Sequence, residues 1–232
     1  MTNIQRSKVR REALSEKVYQ ALKNDIFEFR MLPGDHFSES EIAERMEVSR
    51  TPVRQALFWL EREGYVEAWF RSGWQVKPLN FEYFEELYDL RTVLECEAVR
   101  RLGYQPIQHC QNLLAELRLF WIDNLPIQDG KLVSLQDEAF HIALVKTLNN
   151  EEMLRIHNEL TEKIRIVRRL DFTRDDRINA TYQEHSKILQ AIFQQQTGLA
   201  QHILTEHIAA SKAEVRKITL HMLHQAKLQV TQ

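Results

Sequence analysis

The sequence has few cysteines and no long apolar run, and each absence excludes a class of protein. The two cysteines among its 232 residues, Cys96 and Cys110, form neither a CxxC pair nor a disulfide framework, so we expect them to pack as small apolar side chains. No apolar run approaches the roughly 18 residues that a membrane-spanning helix needs, so no membrane partner is expected. The charged N-terminal residues are not followed by an apolar segment, which predicts a cytoplasmic protein.

Enzyme motifs and a strong net charge are also lacking. The sequence contains no HExxH, no nucleophile elbow and no phosphate-binding loop, so we expect no enzymatic activity. The net charge of -2 does not indicate nucleic-acid binding by the chain as a whole. Basic residues are locally dense in an arm over residues 1–11, which either contacts phosphates or is a solvated terminus.

The length and composition predict a folded chain of two domains. A hydrophobic fraction of 44% and a charged fraction of 28% are typical of globular proteins. After the arm, we predict a winged helix-turn-helix over residues 12–77 and a linker at 78–80. Residues 81–225 are predicted to form an all-helical bundle, so the fold class is mainly α.

The first domain contains three helical patterns followed by a β segment. Ser15 is a candidate N-cap for the first helix, and Ser38-Glu39-Ser40-Glu41 has the capping-box pattern before the second. The third helix begins near Ser49 and ends at Gly64, and residues 65–76 read as a β-hairpin. Two short helices and a hairpin in this order are typical of a winged helix-turn-helix.

The third helix has an apolar face for the core and a polar face that is free to meet DNA. Arginine can read guanine through two hydrogen bonds, and glutamine can read adenine in the same way. The alternative is a small helical subdomain with a solvated charged face. The candidate DNA contacts are Ser49, Arg50, Thr51, Arg54 and Gln55 on the helix, with Arg71 and Gly73 in the wing.

The second domain reads as about six helices, with breaks at glycine, proline and asparagine residues. Their predicted extents are 81–103, 107–124, 130–148, 151–170, 174–195 and 199–225. The long amphipathic patterns are typical of a helical bundle that can hold a ligand between its helices.

Four polar side chains of this domain lie on faces that otherwise look like core. Asp137 and His141 are one turn apart on the third of these helices, His185 is on the fifth and His207 on the sixth. Burying such groups without partners costs several kcal/mol each. If all four side chains bind one divalent metal ion, each has a partner and this cost is avoided. Zinc, nickel, manganese and iron all suit this donor set. The alternative is that each is a hydrogen-bonded core residue.

Arg91 shares the apolar face of the first helix of this domain, so its guanidinium is expected to point inward. There it either clamps the carboxylate of a small organic acid, together with Glu95 as a second effector-site residue, or forms a salt bridge with Glu95 or another internal acid.

The segments Val48 to Leu57 and Leu60 to Val66 resemble the signature of the GntR family of bacterial regulators. The likeness extends upstream to Leu32-Pro33-Gly34 and downstream to Val76. The resemblance implies that Arg50 and Arg54 are the main DNA contacts and that Gly73 marks the wing. Some members carry a basic residue where this chain has Ser40, so a third anchoring contact is in doubt.

The helical region resembles the FCD ligand-sensing domain of the FadR branch, and its six helices resemble the VanR-like subgroup. In metal-binding members an Asp and three His hold the ion, which implies this role for Asp137, His141, His185 and His207. The remaining histidines match no ligand position and are expected to be structural or solvent-facing: His36, His109, His157, His202, His221 and His224.

Together these patterns predict a homodimeric repressor that a small organic acid releases from a palindromic, double-stranded operator. Two other classes of protein remain as alternatives. One is a metal-dependent hydrolase, and the other is a metal-free dimeric architectural protein that binds DNA. Activation in place of repression is equally open to this fold.

Overall fold

The computed structural model describes residues 3–69, 73–218 and 222–223. The described residues divide into two compact units, one that contains the chain up to Leu79 together with residues 222–223, and one that begins at Asn80 and extends to residue 218. In the described ranges, no helix is both long and apolar enough to cross a membrane.

The first unit is a winged helix-turn-helix, as predicted. It contains three helices and an antiparallel sheet with strand order β1-β3-β2. The predicted hairpin corresponds to β2 and β3, in which Val66 pairs with Val76 and Trp69 pairs with Gly73. In chain order the elements are α1 (Asn3–Phe27), β1 (His36–Phe37), α2 (Glu39–Arg45), α3 (Arg50–Glu63), β2 (Val66–Trp69) and β3 (Gly73–Val76).

Local sequence signals explain where α2 and α3 begin and end. The Ser38 hydroxyl accepts from the Glu41 amide at 3.2 Å, and the Glu41 carboxylate accepts from the Ser38 amide at 2.6 Å, which completes the predicted capping box. Gly64 ends α3 with a left-handed φ of 86°. The predicted apolar face of α3, formed by Val53, Ala56, Leu57 and Leu60, is fully buried.

The start of the first helix was predicted wrongly. Helix α1 begins at Asn3, so Ser15 is a buried residue inside it and not its N-cap. The preceding residues include good helix formers such as Arg, Glu, Ala and Leu and contain neither glycine nor proline, so nothing in them stops the helix. The predicted basic arm therefore falls largely on α1, although the side chains of residues 1–11 lie outside the description.

The second unit is all-helical in its described part. Asn80, Asp129 and Asn150 cap α4, α7 and α8 by accepting hydrogen bonds from backbone amides. In chain order the elements are α4 (Phe81–Leu102), α5 (Ile107–Leu113), α6 (Ala115–Arg118), a π-helical turn (Leu119–Asp123), α7 (Gly130–Lys146), α8 (Glu151–Asp171), α9 (Asp175–Phe193) and α10 (Thr197–Val215).

Two predicted helices of this unit are interrupted or shortened. The single helix predicted over 107–124 is wrong, because α5, α6 and the π-helical turn replace it. Its irregular backbone keeps Leu114, Leu117 and Trp121 buried together. The helix predicted to reach residue 225 ends at Val215, where the amides of residues 217 and 218 bond the carbonyls three positions earlier.

The packing of the bundle brings five helices around one interior. Helix α4 lies against α7, α8 and α10, and α9 lies against α7 and α10. The interior is lined by fully buried side chains such as Phe140, Leu144, Ile188 and Leu204. The four polar residues singled out in the sequence face this interior from α7, α9 and α10.

Candidate metal centre and nucleic-acid interface

Asp137, His141, His185 and His207 meet inside the second unit, and they are called here the four-ligand cluster. Each offers one donor atom, and the four donor atoms lie within 4.8 Å of one another. Asp137 Oδ1 is 3.6 Å from His141 Nε2 and 3.5 Å from His185 Nε2. All four residues are almost completely buried. The interpretation that these side chains point inward together therefore agrees with the structure.

Two of the imidazoles are oriented by carboxylates behind them. Glu95 Oε2 is 2.6 Å from His141 Nδ1, and Glu184 Oε2 is 2.6 Å from His207 Nδ1. A carboxylate can only accept, so each Nδ1 carries the proton. The Nε2 atoms of both rings are then left with free lone pairs, which is the tautomer that binds a metal ion.

Those lone pairs face each other across the cluster. His207 Nε2 is 3.3 Å from His141 Nε2 and also 3.3 Å from His185 Nε2. Two acceptors with no proton between them repel at this distance, and the adjacent Asp137 oxygen adds further negative charge. A cation among the four donor atoms removes that repulsion, so these residues fit a divalent ion bound by nitrogen and oxygen.

The protonation states in the cluster are those of metal ligands. Burial, together with the charge of neighbouring histidines, holds the pKa of His185 and of His207 well below the ordinary value. Burial opposes ionisation of Asp137, but Arg168 and the histidines outweigh it and hold the pKa of Asp137 well below its ordinary range. At neutral pH the cluster therefore contains an ionised carboxylate and neutral imidazoles at positions 185 and 207.

Arg168 balances the buried charge of Asp137. Its Nη2 donates to Asp137 Oδ1 at 2.8 Å and its Nε to Oδ2 at 3.2 Å, while Nη1 donates to Ser211 and Asp171. Only 1% of the Arg168 side chain is exposed, so the ion pair is shielded from water. It fixes the orientation of the carboxylate in the cluster.

An aromatic wall closes the cluster beside His185. The ring of Phe140 stacks on His185 with centroids 3.8 Å apart, and Trp121 meets the same imidazole edge-on at 4.3 Å. Trp121 belongs to the π-helical turn, a distortion that often occurs at functional sites. The wall restricts the rotation of His185, whose Nδ1 has no hydrogen-bond partner.

The candidate DNA contacts of the first unit lie on the solvent side of α3. Ser49, Arg50, Thr51, Arg54 and Gln55 are all exposed, whereas the opposite face of the helix is buried. Arg54 is held in one orientation by Glu39 of α2, with Nε 2.9 Å from Oε1 and Nη2 2.7 Å from Oε2. The hydrogen bond from Arg54 lowers the pKa of Glu39, which keeps this carboxylate ionised.

Gly73 begins the second strand of the wing with a φ of 102°, a backbone conformation that favours glycine. A Cβ atom at this position would lie 2.5 Å from the Phe37 carbonyl oxygen, so the sheet itself requires glycine here. The tip of the wing, with the candidate contact Arg71, lies outside the described residues.

Family models match both units of the chain. The model described as bacterial regulatory proteins, gntR family, matches residues 14–76, and the FCD domain model matches residues 86–210. The chain belongs to the GntR family, in the FadR branch that carries an FCD domain. It is a transcription regulator and not an enzyme.

Individual relatives of this GntR-family chain are regulators as well. It is 34% identical over 140 residues, 60% of its length, to the Nta operon transcriptional regulator of Aminobacter aminovorans, and the match covers 66% of that protein. It is 28% identical to the gluconate operon transcriptional repressor of Bacillus licheniformis, over 83% of this chain and 73% of the relative.

Solved structures agree in fold. A GntR transcriptional regulator from Rhodococcus sp. RHA1 superposes with a TM-score of 0.69 at 22% identity, over 88% of this chain and 98% of that chain. The E. coli protein McbR/YncC superposes with a TM-score of 0.62 at 18% identity, over 88% of this chain and 97% of that chain.

Three residues that support the four-ligand cluster were not predicted to do so in the sequence analysis. Glu184 and Arg168 orient His207 and Asp137, and His157 lies 2.9 Å from the Glu95 carboxylate that orients His141. His157 is fully buried, which agrees with the expectation that it is structural. Glu184 is adjacent to His185 in sequence, but no sequence pattern indicates that its carboxylate orients His207.

Arg91 forms a salt bridge with Glu95, which was one of the alternatives that the sequence left open. Its Nε donates to Glu95 Oε1 at 2.8 Å, and both side chains are buried. Burial opposes ionisation of Glu95, but His141 and Arg91 outweigh it and hold the pKa of Glu95 well below its ordinary value. Glu95 thus links Arg91 to one histidine of the four-ligand cluster.

Proposed function

We propose that this chain is a homodimeric repressor that leaves a palindromic operator when a small carboxylate effector binds at a metal ion in its helical unit. The observation that supports it is the four-ligand cluster, in which the Nε2 lone pairs of His141 and His207 face each other beside the Asp137 carboxylate, an arrangement that a cation stabilises. The four residues Asp137, His141, His185 and His207 hold the ion. Zinc, nickel, manganese and iron are all suitable, and the ion when bound supplies a Lewis-acidic position for a carboxylate oxygen.

The DNA-reading role is proposed for the exposed face of α3. Arg50 and Arg54 reach base edges, with guanine as the preferred partner of each guanidinium. A two-fold dimer presents two such helices and therefore requires a two-fold operator. Contacts that position the chain on phosphates and bases are proposed for Ser49, Thr51, Gln55, Arg71 and Gly73.

Effector binding and DNA binding are coupled if the effector has different affinities for two forms of the dimer. The effector releases the operator if it binds more tightly to the form of the dimer that does not bind DNA. Its carboxylate is proposed to bind at or near the ion, in the region of Arg91 and Glu95. Membership of the VanR-like subgroup is proposed from the sequence resemblance alone, since the described part of the unit has seven α-helices and not six. The location is proposed to be the bacterial cytoplasm, where DNA and effector meet.

The DNA-binding part of the proposal is tested by replacing both arginines. Duplexes selected from a random library by the wild-type protein serve as the operator probe in a mobility-shift assay. We expect Arg50→Ala/Arg54→Ala to lose binding while its oligomeric state and metal content stay unchanged. As a matched control, Arg100→Ala/Arg101→Ala removes two exposed arginines from α4 and should retain binding. Equal affinity of the α3 variant and the wild type would contradict the assignment.

A further inference from the structure

Buried polar atoms without a hydrogen-bond partner are rare in folded proteins, yet the second unit contains several. In the described part of the chain, every such side-chain atom belongs to this unit. An unpaired buried donor or acceptor costs free energy, so such atoms indicate a place for a polar ligand. One of them is on His185 of the four-ligand cluster and another is on Trp121, which contacts His185. The atoms are Tyr88 Oη, Trp121 Nε1, Ser134 Oγ, Arg177 Nε and Nη2, Thr181 Oγ1 and His185 Nδ1.

Arg177 is the most informative of these residues, because two of its donors are unpaired. Nε and Nη2 form one edge of the guanidinium, the edge that binds both oxygens of a carboxylate in parallel. The residue is only 9% exposed. Its Nη1 is 3.7 Å from Glu184 Oε1, an ion pair that leaves the opposite edge free. A buried guanidinium with a free edge of this kind is suited to an anion.

The other two buried arginines are paired with acidic side chains. Arg168 donates to Asp137, Asp171 and Ser211, and Arg91 donates to Glu95. Of the three buried arginines in the described residues, Arg177 is therefore the one whose carboxylate-binding edge has no partner.

Helix α9 connects this arginine to the metal centre. Arg177, Thr181 and His185 lie on successive turns, and all three are buried. At 1.5 Å per residue the axial distance from Arg177 to His185 is about 12 Å. The Arg177 side chain extends toward the cluster, because its Nη1 lies 3.7 Å from Glu184 Oε1 and the other oxygen of Glu184 is 2.6 Å from His207 Nδ1. The unpaired Thr181 hydroxyl lies one turn from each of the other two residues.

We infer that Arg177 and Thr181 form a second anion subsite, which holds the far carboxylate of a short dicarboxylate whose near carboxylate binds the metal ion. This inference rests on the proposed function and narrows the effector class from carboxylates to dicarboxylates. A monocarboxylate occupies the metal end and leaves the edge of Arg177 unpaired. A dicarboxylate binds the metal ion with one carboxylate and Arg177 with the other, so it binds more tightly than a monocarboxylate.

The test is a calorimetric titration of the metal-loaded, full-length protein with dicarboxylates of four to six carbons. Succinate, malate, glutarate and adipate are the probes, and butyrate is the monocarboxylate control. We expect at least one dicarboxylate to bind at least about tenfold more tightly than butyrate. Arg177→Gln should weaken that binding by about tenfold or more, and Arg177→Lys, which keeps the charge without the planar edge, should also weaken it.

Matched variants separate this subsite from a general loss of charge. Arg174→Gln removes an exposed arginine from the start of the same helix, where it pairs with Asp176 and Glu214, and should bind the probes like wild type. Thr181→Val keeps the shape of the side chain and should weaken dicarboxylate binding several-fold. Thermal unfolding of each variant confirms that it folds.

Two results would overturn the inference. One is equal dicarboxylate affinity in wild type and in folded Arg177→Gln, and the other is failure of every dicarboxylate to bind the metal-loaded wild type. Metal content and operator binding are measured on the same preparations. If both are normal while Arg177 has no effect, the subsite is wrong and the proposed function stands, whereas a chain that binds no metal defeats the proposed function itself.

Discussion

The Glu95 carboxylate lies 2.6 Å from Nδ1 of His141, so an acid on α4 orients an imidazole on α7. The same carboxylate accepts from Arg91 and lies 2.9 Å from His157 Nε2, and none of these side chains is more than slightly exposed. Glu95 thus joins three helices behind one histidine of the four-ligand cluster.

Replacing Glu95 by glutamine should weaken metal binding. The amide has no negative charge to strengthen the imidazole as a donor, and it leaves the buried Arg91 without its ion-pair partner. We expect the affinity for zinc, measured by competition with a chelating dye, to fall roughly 10- to 100-fold. Glu86→Gln, which changes an exposed glutamate of the same helix, is the control and should bind like wild type. Identical affinity in Glu95→Gln would show that the carboxylate does not support the site.

The sequence predicted the four-ligand cluster but not the groups that support it. Periodicity shows that Asp137 and His141 share an inward face, because residues of one helix keep a fixed angular relation. It does not show which side chain of another helix meets them. Arg168 contacts Asp137 across two helices, and Glu184 contacts His207 from α9, so both contacts depend on how the helices pack.

The same distinction explains which parts of the fold were predicted. The capping box at Ser38 and the terminating Gly64 are local signals, and both agree with the structure. The break near Leu114 has neither glycine nor proline to mark it, and the burial of Trp121 depends on contacts with α7 and α9. The start of α1 was missed because no stop signal precedes Ser15.

Glu39 should sharpen DNA recognition by holding Arg54 in position. We expect Glu39→Gln to weaken binding to the selected operator by about tenfold, because the guanidinium loses its bidentate partner. Binding to random duplex should stay the same or strengthen, since a negative charge near the phosphates is removed. Mobility shifts with both probes give the two affinities.

Weaker binding to the operator with equal or stronger binding to random duplex would show that Glu39 positions Arg54. A purely electrostatic effect of Glu39 would change both affinities in the same direction. Glu44→Gln, which removes an exposed charge from the same helix α2, is the control and should leave operator specificity unchanged. Tighter binding of Glu39→Gln to both probes would mean that Glu39 only repels DNA.

Asp171 should make folding stability depend on pH. Burial raises the pKa of this carboxyl from 3.8 to about 6, against the opposing effect of Arg168. A raised pKa in the folded state stabilises the protein below pH 3.8, and that contribution is lost as the pH rises through about 6. The difference between the two pKa values corresponds to about 3 kcal/mol at neutral pH.

Asp171→Asn removes this titration and keeps an oxygen that can accept from Arg168. Urea unfolding between pH 4 and 7 should therefore show that the variant gains stability relative to wild type as the pH rises. The exposed neighbour Asp175→Asn serves as the control and should follow wild type. A constant difference between Asp171→Asn and wild type across this range would rule out the raised pKa.

The most direct test of the account is the metal content of the full-length chain. Purified protein is stripped with a chelator, reloaded separately with zinc, nickel, manganese or iron, dialysed and analysed by mass spectrometry for bound ion. We expect one tightly held ion per chain with at least one of these metals, and its loss in His185→Ala and in His207→Ala, both checked for folding. Absence of a stoichiometric ion in the wild type, or undiminished binding in both variants, would contradict the central claim that these four residues form a metal site.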